Sequence, residues 1–401
     1  MERLIAGCAD DSHEAGIRIW ADLEPLSGPG TPVKPAVYAG GKYQVERRWW
    51  GSNGQRRQVD AVVIDNEPSQ ANRLEAALDR QARDLGLPRV VLDLTAAEPL
   101  PPQLPRALSG FRFPHRHADA YLRDAVIDGI KFKDTAEGRG IFAATAERPH
   151  ALLQWFPQAL LFGFWQSHLG KGADASQAKL ARSWRSSIVG YNPAATETRQ
   201  FGLKGDPLNL TLADARVQVH PADESTWQPL EPKAKADKGY ETAKLSEIGH
   251  GQVPIGEGGS AEQQPGPAGV SFEAIEQCTT ASFPDLRRVW VGDPQANATA
   301  RALLVAMGLV AHVDAFGRAF SLRSGCDLRA RETRWTWLGA DADTTLAPLT
   351  ADAARALFRE CVAAAEEAGL PVGNAWPPEP LVLEPSPQLL AVIRRTYPVE
   401  A

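Results

Sequence analysis

Between residues 16 and 23 the chain alternates, with Ile17, Ile19, Ala21 and Leu23 on one side and Arg18, Trp20 and Asp22 on the other. A period of two belongs to a strand with one buried face. After a Gly/Pro-rich stretch over 27–35, the apolar run 59–64 reads as a second strand. The period then changes. Ala71, Leu74, Leu78, Ala82 and Leu85 recur at three- and four-residue intervals, which predicts an amphipathic helix with Ser69 as its cap. Gly86 and Pro88 end it, and 89–94 reads as a third strand. The unit is strand, helix, strand.

From 101 to 191 the pattern is mixed, with long apolar pieces among many basic residues, as in an insertion with helices of its own. Over 228–269 the apolar content collapses into Gly, Pro, Lys and Glu, which predicts a flexible loop. Regular pattern resumes with strands near 287–291, 318–322 and 331–338, the last placing Trp335 and Trp337 on one face. Thr350 caps a final helix with Leu357, Cys361, Val362 and Ala365 on its buried side, ended by Gly369 and Pro371. The longest apolar stretch, 151–165, is broken by Gln154, Pro157 and Gln158 and falls short of the ~20 residues of a membrane span, so no membrane partner is expected. Ile5-Ala6-Gly7-Cys8 imitates a lipoprotein box, but few apolar residues precede it and Asp10-Asp11 follow at once.

Composition adds two constraints. Cys8, Cys278, Cys326 and Cys361 lie far apart without paired spacing, which suits neither a disulfide framework nor a zinc knuckle and points to a reducing cytoplasm. The 401 residues carry 43 Lys plus Arg against 49 Asp plus Glu, a net charge of -6. That total hides a division: residues 105–205 hold 14 basic and 8 acidic side chains, leaving the remainder at -12.

Within the basic centre, Arg112, Arg116, Arg123, Lys131, Lys133 and Arg139 interleave with Phe111, Phe113, Tyr121 and Phe132, and His115 and His117 add donors. Cations with flat rings suit single-stranded nucleic acid, because phosphates need charge and unstacked bases need faces; aromatic core beneath a solvated basic face fits the composition equally well. Lys171, Lys179, Arg182 and Arg185 form a second cluster, the last three spaced to share a helix face. In Ser69-Gln70-Ala71-Asn72-Arg73 the amide and guanidinium groups fall in the first turn of a helix after a strand, where an anion is favoured, although ordinary capping with a surface Arg explains them as well.

Catalytic patterns are missing. Gly138-Arg139-Gly140-Ile141-Phe142-Ala143 has dinucleotide-loop spacing, but Pro149 cuts short a following helix; Gly170-Lys171 lacks the rest of a P-loop. Asp124 and Asp128 lie at helical i,i+4 spacing as paired carboxylates would, but a solvated helix face explains them at least as well. His115 and His117 lack the further ligands of a metal site, and there is no Gly-x-Ser-x-Gly. No catalytic residue, metal or cofactor is assigned.

The same residues resemble a known family. Val63-Ile64-Asp65 with Ser69-Gln70-Ala71-Asn72-Arg73-Leu74-Glu75 is similar to the N-terminal motif of the RAMP-superfamily backbone subunit of type I-U (also called I-G) CRISPR Cascade complexes. His115-Arg116-His117-Ala118-Asp119-Ala120-Tyr121, Phe162-Gly163-Phe164-Trp165 with Ser187-Ile188-Val189-Gly190-Tyr191, and Lys244-Leu245-Ser246-Glu247-Ile248-Gly249-His250-Gly251-Gln252-Val253-Pro254 follow in the family's order. Gly269-Val270-Ser271-Phe272, Leu286-Arg287-Arg288 and Leu322-Arg323-Ser324-Gly325-Cys326-Asp327-Leu328 complete it. Two departures stand out: Phe113-Pro114 where the family often has small hydroxyl residues, and a longer, Pro-rich loop after Gly256.

The resemblance implies an α+β fold, an RRM-like, ferredoxin-type palm divided as 1–104 (first part of the palm), 105–227 (basic helical insertion and return), 228–269 (flexible thumb or lid) and 270–401 (second part of the palm and C-terminal helix). It implies a non-catalytic subunit that lines up with copies of itself and other Cascade subunits along crRNA and presents that RNA to target DNA. The RNA-binding residues expected are Asn72, Arg73, His115, Arg116, His117, Lys171, Arg182 and Arg185, with His250 and Arg323. The competing expectation is an RNA-processing endonuclease of the same superfamily, with His115 or His117 as acid/base.

Overall fold

The computed structural model describes residues 1–39, 41–51, 55–166, 178–194, 216–231, 233–250 and 269–397, and the backbone alone of 202–204 and 253–255. They form two compact units: Met1–Ala36, Val45–Ala194 and Ser271–Ala401 in one, Val37–Gln44 and Ala195–Val270 in the other.

The first unit is α+β. Its main sheet comprises β1 (Gly16–Pro25), β2 (Val45–Trp50), β3 (Arg57–Asp65), β4 (Trp184–Pro193), β5 (Phe272–Ser282), β6 (Phe320–Arg323) and β7 (Cys326–Leu338), with Thr344–Leu346 paired beside β7. The spatial order is β6-β7-β1-β5-β4-β3-β2, antiparallel throughout. The alternation read from sequence sets its faces: Ile17, Ile19, Ala21 and Leu23 of β1 are buried, and Trp335 and Trp337 of β7 point inward with them.

Three helices supply much of the opposing layer: α1 (Glu67–Gln81), α2 (Pro294–Phe316) and α3 (Ala351–Glu367). Asn66, not Ser69, caps α1, its side chain accepting from the Ser69 N–H; Ser69 instead donates its hydroxyl to Asp65. Thr350 caps α3 as expected, and Cys361 and Ala365 are buried there with Ala354 and Phe358, while Leu357 and Val362 are half-buried. The α2 helix is invisible to a search for amphipathic period because it is apolar almost all round. It is long and apolar enough to cross a membrane, yet 83% of its apolar window is buried within the protein. Gly308 allows α2 onto the sheet, since a Cβ there would meet the Trp184 ring at 2.4 Å.

Two expected strands behave differently. Residues 287–291 follow a helical turn, Phe283–Leu286, because their carbonyls are taken by a fully buried guanidinium: Arg301 donates to the oxygens of Val289 (3.0 Å) and Arg287 (3.1 Å) and pairs with Asp10 at 2.6 Å. The strand after α1, Val90–Asp93, leaves the main sheet altogether. It pairs parallel with Leu381–Pro385 and antiparallel with Ala107–Ser109 in a separate five-stranded sheet, so the two strands of the strand, helix, strand unit do not share one sheet.

In the second unit, Arg216–His220 lies between Asp223–Pro229 and Glu241–Lys244. Part of the segment read as a loop is therefore strand; 256–268 lie outside the described residues.

Candidate nucleic-acid interface

At the end of β3 the buried Asp65 carboxylate gathers the first group of anticipated residues. It accepts from Ser69 Oγ (2.8 Å), Gln70 Nε2 (2.6 Å), Arg73 Nε (2.8 Å) and Arg323 Nη2 (2.7 Å). Arg73 also donates to the Leu322 carbonyl, and Arg323 to those of Lys34 and Ile64. Burial alone would raise the Asp65 carboxyl, but Arg73, with Gln70 and Ser69, holds it below the usual carboxylate range. Two arginines far apart in sequence thus share one carboxylate and tie α1 to the turn before β7. Asn72 stands exposed on α1 beside them.

A second group meets in a surface pocket of about 340 Å³ lined by His115, Arg116, Trp165, Lys179 and Arg182, among others. Its floor depends on two unusual backbone positions. Arg116 sits at φ 55°, held by a bidentate pair with the buried Glu75 (2.7 and 2.8 Å) and by a bond to the Gly163 carbonyl at 3.0 Å. Gly163 has φ 78°, and a Cβ there would come within 2.7 Å of the Leu180 carbonyl oxygen. Arg116 and Gly163 therefore line the floor, with Glu75 holding Arg116 from behind, while other groups present donors at the surface.

Those groups are His115, Lys179 and Arg182. The His115 side chain is exposed. Lys179 lies across a two-stranded ribbon from Trp165, its Nζ 5.9 Å from the indole centroid. Trp165 itself is 59% exposed, a large flat ring with no apolar need to be there. Arg182 is half-buried; desolvation, then the Arg116 charge, lowers its guanidinium pKa, and its buried Nε has no hydrogen-bond partner among the described residues. A pocket that concentrates cationic donors and leaves one unsatisfied is suited to an anion, and the ring at its rim to a base.

Other expectations resolve differently. His117 is fully buried, its ring edge-on to Phe164, with neither nitrogen hydrogen-bonded among the described residues; burial lowers its pKa to about 3. With no exposed surface, the ring does not fit the RNA contact or the acid/base role expected of it. Phe111, Phe113 and Phe132 are core, and of that series only Tyr121 is exposed. Lys179, Arg182 and Arg185 occupy a strand, a loop and β4 in place of a common helix; Arg185 pairs with Asp285 at 2.7 Å. Asp124 pairs with Arg123 and Asp128 lies in a turn at φ 50°, so they share no helix. Gly138 and Gly140 lie inside a helix capped by Thr135, which removes the phosphate loop. His250, in the second unit, packs beside Trp227, and Lys171 lies outside the described residues.

Trp165 and Lys179 are not among the RNA-binding residues expected from sequence, although Lys179 belongs to the second basic cluster and Trp165 to one of the blocks that resemble the family. The signal existed: Trp165 alternates with the buried Phe164 and Gln166 on a strand, which points it outward.

Residues 17–194, a stretch containing the whole pocket, match the model of the family described as CRISPR-associated protein GSU0053 (Cas_GSU0053). No curated protein matches the chain.

Proposed function

We propose that the protein is a non-catalytic backbone subunit of a type I CRISPR Cascade complex. Copies of it and other Cascade subunits assemble along crRNA, grip its phosphates largely without regard to sequence, and present the bases to target DNA. The observation that carries this reading is the pocket of Lys179, Arg182 and His115 beside the exposed Trp165, within the stretch similar to a CRISPR-associated family. Fold topology supports it. Strands β7-β1-β5-β4, with α2 between β5 and β7 in the chain, follow the 4-1-3-2 order of a ferredoxin-type, RRM-like palm, and the second unit interrupts the β4–β5 connection where a thumb would be inserted.

The test is a pair of measurements. Purified protein should carry RNA of discrete length, seen in its absorbance ratio. RNA-free protein should bind unrelated single-stranded RNAs about equally, and Lys179→Ala with Arg182→Gln should weaken all of them and flatten the salt dependence. Unchanged binding would overturn the reading.

The exposed His115 keeps the endonuclease alternative within reach of the same samples. Specific cleavage of repeat RNA that disappears in His115→Ala would replace a passive subunit with a processing enzyme.

A further inference from the structure

On the face of α1 away from Glu75, Arg73, Ala76 and Arg80 border a second pocket of about 270 Å³, closed by Asp314 near the end of α2 and by Arg318 and Ser321 from the segment after it. Most of the charge around it is matched. Arg73 and Arg323 share Asp65, and Arg355 pairs with Asp314 (3.1 Å) and Asp352 (3.4 Å), Asp314 also accepting from Gln81. Arg80 and Arg318 are exposed and, among the described residues, form no ion pair within 4.0 Å. Both line the pocket together with Asp314, whose carboxyl pKa is raised by burial and opposed by the charges of Arg355, Arg80 and Arg318.

Five arginines against three aspartates leave an excess of two cations, and that excess borders a concave site. The Asp314 carboxylate in the lining is already engaged by Arg355 and Gln81, so two exposed arginines at one pocket with no ion pair of their own leave guanidinium donors for an outside anion. The Asp65 and Asp314 pairs fix the walls, so little ordering remains to be done on binding.

We propose that Arg80 and Arg318 form a second anion site, taking a phosphate group of the single-stranded nucleic acid gripped at the Lys179–Arg182 pocket. The naming of that ligand rests on the function proposed above; the anion site itself does not. A guanidinium binds phosphate oxygens bidentately, and two of them can hold adjacent phosphodiesters or one phosphate from two sides.

Full-length protein carrying Arg80→Gln with Arg318→Gln is compared with wild type by fluorescence anisotropy against labelled single-stranded RNA over a salt series. Circular dichroism and melting control for folding. With two fewer phosphates neutralised, the slope of log affinity against log salt should become shallower by about 1.4, and Arg80→Lys with Arg318→Lys should restore most of it. An unchanged slope while Lys179→Ala with Arg182→Gln still loses RNA overturns the second site and leaves the first intact. A second arm uses inorganic pyrophosphate: it should raise the melting temperature of wild type and not of the Gln variant. If RNA fails to bind wild type but pyrophosphate still distinguishes the two proteins, the anion site stands and its ligand is a free phosphate compound. If pyrophosphate treats both alike as well, the proposal fails.

Discussion

Replacing Asp65 by Asn keeps the shape and removes the charge on which Arg73 and Arg323 converge. One carboxylate oxygen accepts from Gln70 and Arg73 Nε, the other from Ser69, Arg73 Nη2 and Arg323. Whichever oxygen becomes an amide nitrogen, at least two donors lose their acceptor, one of them charged. Breaking a buried pair by removing one partner costs about 3–5 kcal/mol; because Arg73 and Arg323 are 26% and 23% exposed and can turn partly to water, the lower end, about 3 kcal/mol, applies. Urea unfolding followed by tryptophan fluorescence measures it. The pH dependence follows from the depressed carboxyl: its contribution is complete above the ordinary value of 3.8 and is lost as pH falls through the lower folded value. The variant should therefore show its full deficit from pH 5 to 8 and approach wild type in strong acid. A deficit under about 1 kcal/mol at pH 7, or one unchanged at pH 2, would show that the cluster is solvated and not the tie between α1 and the main sheet.

Three further outcomes follow. His312 is buried among Trp184, Phe316 and Trp335, which lowers its pKa to about 4; stability is whole above its unfolded value near 6.5 and falls by about 1.4 kcal/mol per pH unit below it. His312→Phe should remove one proton's worth of that slope between pH 6 and 5, read from unfolding curves at each pH. Gly163→Ala combines an unfavourable φ with a collision against the Leu180 carbonyl and should cost more than the about 1 kcal/mol expected of Gly86→Ala, whose φ is also positive but whose surroundings are open. Melting compares the two, and RNA affinity should fall only in the first. Glu75→Gln should destabilise by about 3 kcal/mol, checked by urea unfolding, and should weaken RNA binding less than Lys179→Ala with Arg182→Gln when both are measured well below their melting points.

The local pattern along the chain was legible where one face of an element is wet. The β1 alternation and the α1 period both survive, and Trp335 and Trp337 point inward as read. It fails where surroundings override local preference. The α2 helix has no polar stripe to give it a period, and the strand after α1 is claimed by a partner near the C-terminus, Leu381–Pro385, which no local pattern announces. Segment 287–291 has the apolar content of a strand but lends its carbonyls to Arg301.

The same distinction separates the cations of the candidate site. Sequence can show that a segment is basic, but a guanidinium beside a carboxylate brought in by folding and one without such a partner look alike in a string of letters. Arg73, Arg116 and Arg323 each find an acid: Asp65 is separated from Arg323 by most of the chain, and Glu75 reaches Arg116 from another element. Their charges are largely neutralised and their positions fixed, so in the proposed interface they would hold the walls. Lys179, Arg182, Arg80 and Arg318 form no ion pair among the described residues, and on the proposed reading they are where attraction for phosphate would be concentrated. Measured against the proposed interface, the excess basic charge of 105–205 accordingly overstates it in one respect and understates it in another. Arg116 and Arg185 are counted although each is paired, whereas Arg80 and Arg318 fall outside the span altogether. Salt dependence should follow the unpaired set: removing a paired arginine changes chiefly stability, while removing an unpaired one changes the number of counterions released.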